Sequence, residues 1–71
     1  MSVYKVIDII GTSPASWEQA AAEAVQRARE SVDDIRVARV VEQDLIVDSG
    51  GGITFRTKLE ISFKMRPSQP H

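Results

Sequence analysis

Ile53-Thr54-Phe55-Arg56-Thr57-Lys58-Leu59-Glu60-Ile61-Ser62-Phe63-Lys64-Met65-Arg66 is the stretch that decides the fold. Its odd positions are Ile, Phe, Thr, Leu, Ile, Phe and Met, and its even positions are Thr, Arg, Lys, Glu, Ser, Lys and Arg. Successive side chains of a strand point to opposite faces. This period of two therefore predicts a strand over 53–66 with one apolar and one polar face. Pro67 stops it, because proline has no N–H to give to a ladder. Just upstream, Asp48-Ser49-Gly50-Gly51-Gly52 has turn composition, and Ile35 to Val47 before it reads as another strand. The two strands predict a hairpin.

Chemistry suggests the hairpin's register. If paired residue numbers sum to about 100, Val47 faces Ile53, Leu45 faces Phe55, Val41 faces Leu59 and Val37 faces Phe63. On the other face Asp44 meets Arg56 and Glu42 meets Lys58. A slip of one residue would move every side chain to the wrong face. One pair dissents, since Arg39 would lie opposite Ile61.

Further upstream, Trp17, Ala20, Ala21, Ala24, Val25, Ala28 and Val32 recur with helical spacing, while Glu18, Gln19, Glu23, Gln26, Arg27 and Glu30 take the other side. Ser16 stands three residues before Gln19, the spacing of a capping box, so the helix is placed from Ser16 to Ser31–Val32. Its apolar stripe is mostly alanine, which lets a neighbouring backbone come close. Val3 to Ile10 is dense in β-branched residues and predicts the first strand, followed by a turn at Gly11-Thr12-Ser13-Pro14. The order is β-α-β-β. The fold class is α+β: a three-stranded antiparallel sheet on one helix, with the third strand in the middle. Residues 1–66 form one domain, and 67–71 form a tail.

Lengths imply partners. A strand over 53–66 reaches roughly 45 Å, whereas a helix over 16–32 reaches only roughly 25 Å. One helix cannot cover such a sheet, and the apolar remainder calls for sister copies. With no cysteine among 71 residues, disulfides and thiolate metal sites are excluded. The net charge is −1, without the basic excess of a nucleic-acid binder. No apolar run approaches a membrane span, and Met1 leads into strand sequence without a signal-peptide pattern, so a cytoplasmic location is expected. His71 is the only histidine, and no Ser-His arrangement exists, so no enzymatic activity is expected. Gly50-Gly51-Gly52 lacks the Lys-Ser/Thr of a phosphate loop and reads as a hairpin turn. Trp17 reads as a core or interface anchor, and Asp8 as a cross-strand or intersubunit ion-pair partner of Lys5, Arg36 or Arg39, or else as a metal ligand.

Three segments together resemble the dodecin family: Tyr4-Lys5-Val6-Ile7-Asp8-Ile9-Ile10-Gly11-Thr12-Ser13, then Ser16-Trp17-Glu18 with the alanine-striped helix, then the hairpin ending Ile61-Ser62-Phe63. The likeness runs from about Val3 to Arg66. It implies a hollow homododecamer, no enzymatic activity, and storage of flavin (FMN or riboflavin), coenzyme A or calcium. Where flavin-binding members carry a stacking tryptophan and a polar-edge glutamine, this chain has Val37 and Arg56. Valine offers no flat face, and arginine only donates hydrogen bonds. In the register above the two positions also fall on opposite faces. The chain looks nearer to the family's calcium-binding branch. Available oxygen donors are Asp8, Glu18 or Glu23, and Glu42, Asp44 or Asp48, with Asp8 and Glu42 the residues chosen here as metal ligands. No EF-hand spacing is present. A flavin could alternatively find an aromatic wall in Tyr4 or Phe63, and a shell without any small ligand is the third possibility.

Overall fold

The structure is a computed structural model that describes residues 2–65. The expected tail at 67–71, its His71 and the last residue of the expected third strand, Arg66, lie outside the described residues. Strand β1 spans Tyr4–Ser13, helix α1 Trp17–Arg29, strand β2 Ile35–Val47 and strand β3 Ile53–Lys64. The sheet order is β1-β3-β2, with both pairings antiparallel, as expected from the sequence.

Strand β1 runs three residues past Ile10. Gly11, Thr12 and Ser13 continue the ladder opposite Thr57, Arg56 and Phe55 rather than turning. Gly11 belongs there because α1 presses on it. A Cβ at Gly11 would run into the carbonyl oxygen of Ala20 and lie 2.8 Å from the Ala24 Cβ. The alanine stripe and Gly11 are thus two halves of one close approach.

Ser16 caps α1, its Oγ accepting from the Gln19 amide at 3.0 Å. The reciprocal arm of the capping box goes elsewhere. The Gln19 Oε1 accepts instead from the buried Ser13 hydroxyl at 2.6 Å, tying the helix to the end of β1. The helix ends at Arg29, before the expected Ser31–Val32, and the amides of Ser31 and Val32 both bond the Ala28 carbonyl in a tightened last turn. Asp34 then takes φ 63°, a left-handed conformation that aspartate tolerates better than bulkier residues.

Ala24, Leu59 and Ile61 form the buried centre, with Ile7, Ile9, Ala21, Val25, Ala28 and Ile35 packed around it. Trp17 fastens the other end. Its indole stands edge-on to Phe55 at 5.2 Å, its Nε1–H donates to the Asp44 carbonyl at 3.1 Å, and its own carbonyl accepts from the buried Thr57 hydroxyl at 3.0 Å. The anchor role read from the sequence is the one it fills.

The register of β2 on β3 follows the sum of 100 only from Val47 back to Glu42. A bulge at Val41 then shifts it, and a second lies between Ile35 and Val37. Val41 therefore has no partner in Leu59, which pairs with Val40, and Val37 faces Ser62 rather than Phe63. The extra residue removes the dissent noted above: Arg39 meets Glu60, not Ile61, and closes an ion pair at 2.6 Å. A bulge adds one residue to one strand and so flips everything beyond it to the other face. One consequence is that Val37 and Arg56 share a face after all.

Candidate functional site

Helix α1 covers the face of the sheet that carries Thr57, Leu59 and Ile61. The opposite, helix-free face carries Asp8 and Thr12 from β1, Arg56, Lys58 and Glu60 from β3, and Val37, Arg39, Glu42 and Asp44 from β2. All four sequence-chosen residues, Asp8, Val37, Glu42 and Arg56, are on this face.

Arg56 is not free to meet a ligand's polar edge. Its Nε and Nη2 donate to the two oxygens of Asp44 at 2.7 and 2.6 Å, a fork-on-fork pair. The hydrogen bonds from Arg56 are the main reason that the Asp44 carboxyl is held below the usual aspartate range, against a smaller opposing effect of desolvation. The same bonds raise Arg56. Six residues along β3, Val37 lies opposite Ser62 with 56% of its surface exposed. A six-residue offset on a strand is roughly 20 Å, so one copy does not bring Val37 and Arg56 to a common ligand. Tyr4 and Phe63, the alternative aromatic wall, fall on opposite faces, since Tyr4 pairs with Lys64 and Phe63 with Lys5.

Asp8 is exposed and pairs directly with Glu60 across the β1–β3 ladder. Like charges placed opposite each other are unfavourable. The ion-pair partners that the sequence suggested for Asp8 are otherwise engaged or turned away. Arg39 bonds Glu60, Arg36 bonds Asp34 at 3.1 Å, and Lys5 points to the helix-covered face opposite Phe63. Glu42 lies across from Lys58 but closes no ion pair with it among the described residues. Asp8 and Glu42 stand on the two outer strands with β3 between them and two residues of offset along it, roughly 12 Å apart by strand geometry.

The remaining donors separate by role. Asp48 is consumed by the hairpin, its Oδ1 accepting from the amides of Gly50 and Gly52 at 3.0 and 2.8 Å. Glu18 sits exposed in the first turn of α1. Glu23 and Arg27 line an open cleft of about 540 Å³ between α1 and residues 10–14 at the free edge of β1. Among the described residues no three Asp, Glu or His side chains converge on one point. Calcium takes six to eight oxygens, so a calcium shell on this chain draws on backbone, water or another copy as well as on carboxylates. Exposed Asp8, set opposite Glu60 and given no ion-pair partner among the described residues, fits such a hard cation.

The fold defines a small α+β protein in which an antiparallel β1-β3-β2 sheet wraps a single helix. The chain belongs to the dodecin family, whose profile matches residues 3–66. It is 84% identical over 70 residues to the calcium dodecin of Mycobacterium tuberculosis (strain ATCC 25618 / H37Rv), covering 99% of each chain. The crystal structure of that protein, described as a calcium-chelating immunodominant antigen with a novel calcium-binding site, superposes with a TM-score of 0.85 over 99% of this chain and 100% of that one. The dodecin of Streptomyces davaonensis is 26% identical, with a TM-score of 0.84 over 93% of this chain and 97% of that one. A Thermus thermophilus protein is likewise 26% identical, with a TM-score of 0.87 over 96% and 100%. Among the described residues no helix is long and apolar enough to cross a membrane.

Proposed function

We propose that this chain is a calcium-binding storage protein that works as a hollow homododecamer and catalyses no reaction. The observation that carries the reading is the 84% identity to calcium dodecin across 99% of both chains. Two features of the helix-free face support it. The positions that would serve a flavin offer an aliphatic side chain at Val37 and an arginine already bound to Asp44 at Arg56. The same face sets Asp8 beside Glu60, and among the described residues no cation pairs with Asp8.

Asp8 and Glu42 are the residues proposed to hold the ion, with Glu60, opposite Asp8, as a further oxygen ligand to it. Bound calcium would supply the positive charge that Asp8 and Glu42 receive from no ion pair among the described residues, whereas Glu60 already has Arg39. Because Asp8 and Glu42 lie on opposite outer strands, they serve separate ions or one ion shared between copies. The chain's own contribution is to hold carboxylates on rigid β positions whose register the Arg39–Glu60 and Asp44–Arg56 pairs define.

Calorimetric titration of metal-free protein with calcium is expected to give saturable heat. Thermal melting is expected to shift upward with calcium and downward with a chelator, since a ligand that binds only the native state stabilises it. Asp8→Asn is expected to weaken calcium binding about tenfold or more, roughly the loss of one charge-assisted contact. No heat and an unchanged melt with chelator would overturn the calcium reading. Quenching of added FMN fluorescence would replace it with a flavin one.

A further inference from the structure

On the helix-free face three charged residues stand in one row across the sheet. Asp8 on β1 pairs with Glu60 on β3, and Glu60 pairs with Arg39 on β2. Glu60 therefore has a like charge on one side and an opposite charge on the other. Arg39 holds it, with Nη2 donating to Oε1 at 2.6 Å. Lys58, two residues along β3, closes no ion pair with either carboxylate among the described residues. The row has two carboxylates and one guanidinium, so one negative charge, that of Asp8, is left over.

A backbone irregularity brings Arg39 to this row. Without the bulge at Val41 the residue would face Ile61 on the helix-covered side. Bulges recur where a strand must re-aim a side chain beside a site. The two partners of the pair are also unequal. Arg39 has 68% of its side chain exposed, and Glu60 has 37%. Glu60 stands on the central strand between two neighbours, whereas Arg39 stands on an edge strand at the end of a long, rotamer-rich stem. Of the two, Arg39 is the one that can leave.

A cation on Asp8 has two ways to bind, and its charge decides between them. A monovalent ion is balanced by Asp8 alone and leaves Arg39 on Glu60. A divalent ion held by Asp8 alone keeps one positive charge unmatched. The carboxylate directly across the ladder is that of Glu60, and a hard cation that wants six to eight oxygens draws on it. Glu60 then has two positive groups competing for one negative charge. They repel each other, and each weakens the other's hold on that carboxylate.

We infer that Arg39 is a built-in competitor of the bound ion: it occupies Glu60 in the metal-free chain, yields that carboxylate to a divalent cation on Asp8, and so sets the calcium affinity of the site. This rests on the calcium reading above and adds to it a residue that is not itself a ligand. Partly exposed ion pairs are weak, so the competition amounts to about three- to fivefold in Kd and not to a block.

Calorimetric titration of the metal-free, full-length protein with calcium chloride tests this through a double-mutant cycle. Arg39→Gln is expected to bind calcium about three- to fivefold more tightly than wild type. Its melting temperature is expected to rise further than that of wild type at the same added calcium. Arg39→Ala is expected to give the same gain, so the result does not hang on one substitution. Glu60→Gln is expected to weaken binding, and in that background the gain from Arg39→Gln is expected to vanish, since no carboxylate is left to compete for. Unchanged or weaker binding by both Arg39 variants, or an equal gain with and without the Glu60 carboxylate, overturns this inference and leaves the calcium reading standing. A wild-type chain that takes up no calcium overturns the calcium reading itself.

Discussion

Strands β1 and β2 flank the same β3, yet they are held in different ways. Strand β1 makes an unbroken ten-residue ladder from Tyr4–Lys64 to Ser13–Phe55, and α1 lies against it through Gly11, Ala20 and Ala24. Strand β2 breaks its ladder twice, is barely touched by the helix, and leaves six large apolar side chains exposed. One outer strand is covered by the helix, while the other rests on β3 with little cover from α1. A small protein whose core is too thin for independence can divide its sheet this way, with one half closed and one half left open.

The sharpest way to test that division is at its closed side. Ile61 is fully buried at the centre of the core. Ile61→Ala is expected to cost about 3 kcal/mol, the lost transfer energy plus a cavity that its neighbours only partly fill. Chemical denaturation should show the loss at every protein concentration, because the site is within one copy. A loss that vanishes at high concentration would mean that the core and the assembly are not separable.

Gly11→Ala comes next. The added Cβ has nowhere to go but into the backbone of Ala20, so α1 must move off β1. About 2 kcal/mol is expected, the range for overpacking. Wild-type stability in this variant would show that the helix can shift without cost, and that the tight approach does not hold β1.

What could be read from the sequence divides along the same line. The alternation of β3 and the alanine stripe of α1 were plain, because each is a single period repeated many times. With them came the strand order and the hairpin register near the turn. The end of β1 was hidden, because Gly-Thr-Ser-Pro has the composition of a turn. Only the need for the helix to touch bare backbone reveals why the glycine stays in the strand. The bulge at Val41 left one trace, the mismatch of Arg39 with Ile61. Two consecutive valines give no alternation to betray the extra residue. The chosen site residues Asp8, Val37, Glu42 and Arg56 do share a face, but the offset along β3 that parts Val37 from Arg56, and the middle strand that parts Asp8 from Glu42, are set by register and sheet order, which no local pattern encodes.

The smallest expected effect belongs to the bridge that links the two sides, and its sign follows from its chemistry. Arg56 stands on β3 and Asp44 on β2, and their paired hydrogen bonds hold the Asp44 carboxyl below its ordinary value of about 3.9. A depressed native pKa means that the unfolded chain takes up the proton first as acid is added. The bridge therefore contributes in full above the ordinary aspartate range, and its contribution fades as pH falls through the native value. Both side chains are partly exposed, so the effect at neutral pH is that of a surface pair. Asp44→Asn is expected to flatten the acid limb of a stability-versus-pH curve below about pH 4 while changing neutral stability little. The backbone carbonyl that receives the Trp17 indole remains in that variant, so the helix anchor is preserved and the change isolates the carboxylate. An acid limb of unchanged slope would place the titrating group elsewhere and leave the hairpin register to the bulge and the Arg39–Glu60 pair alone.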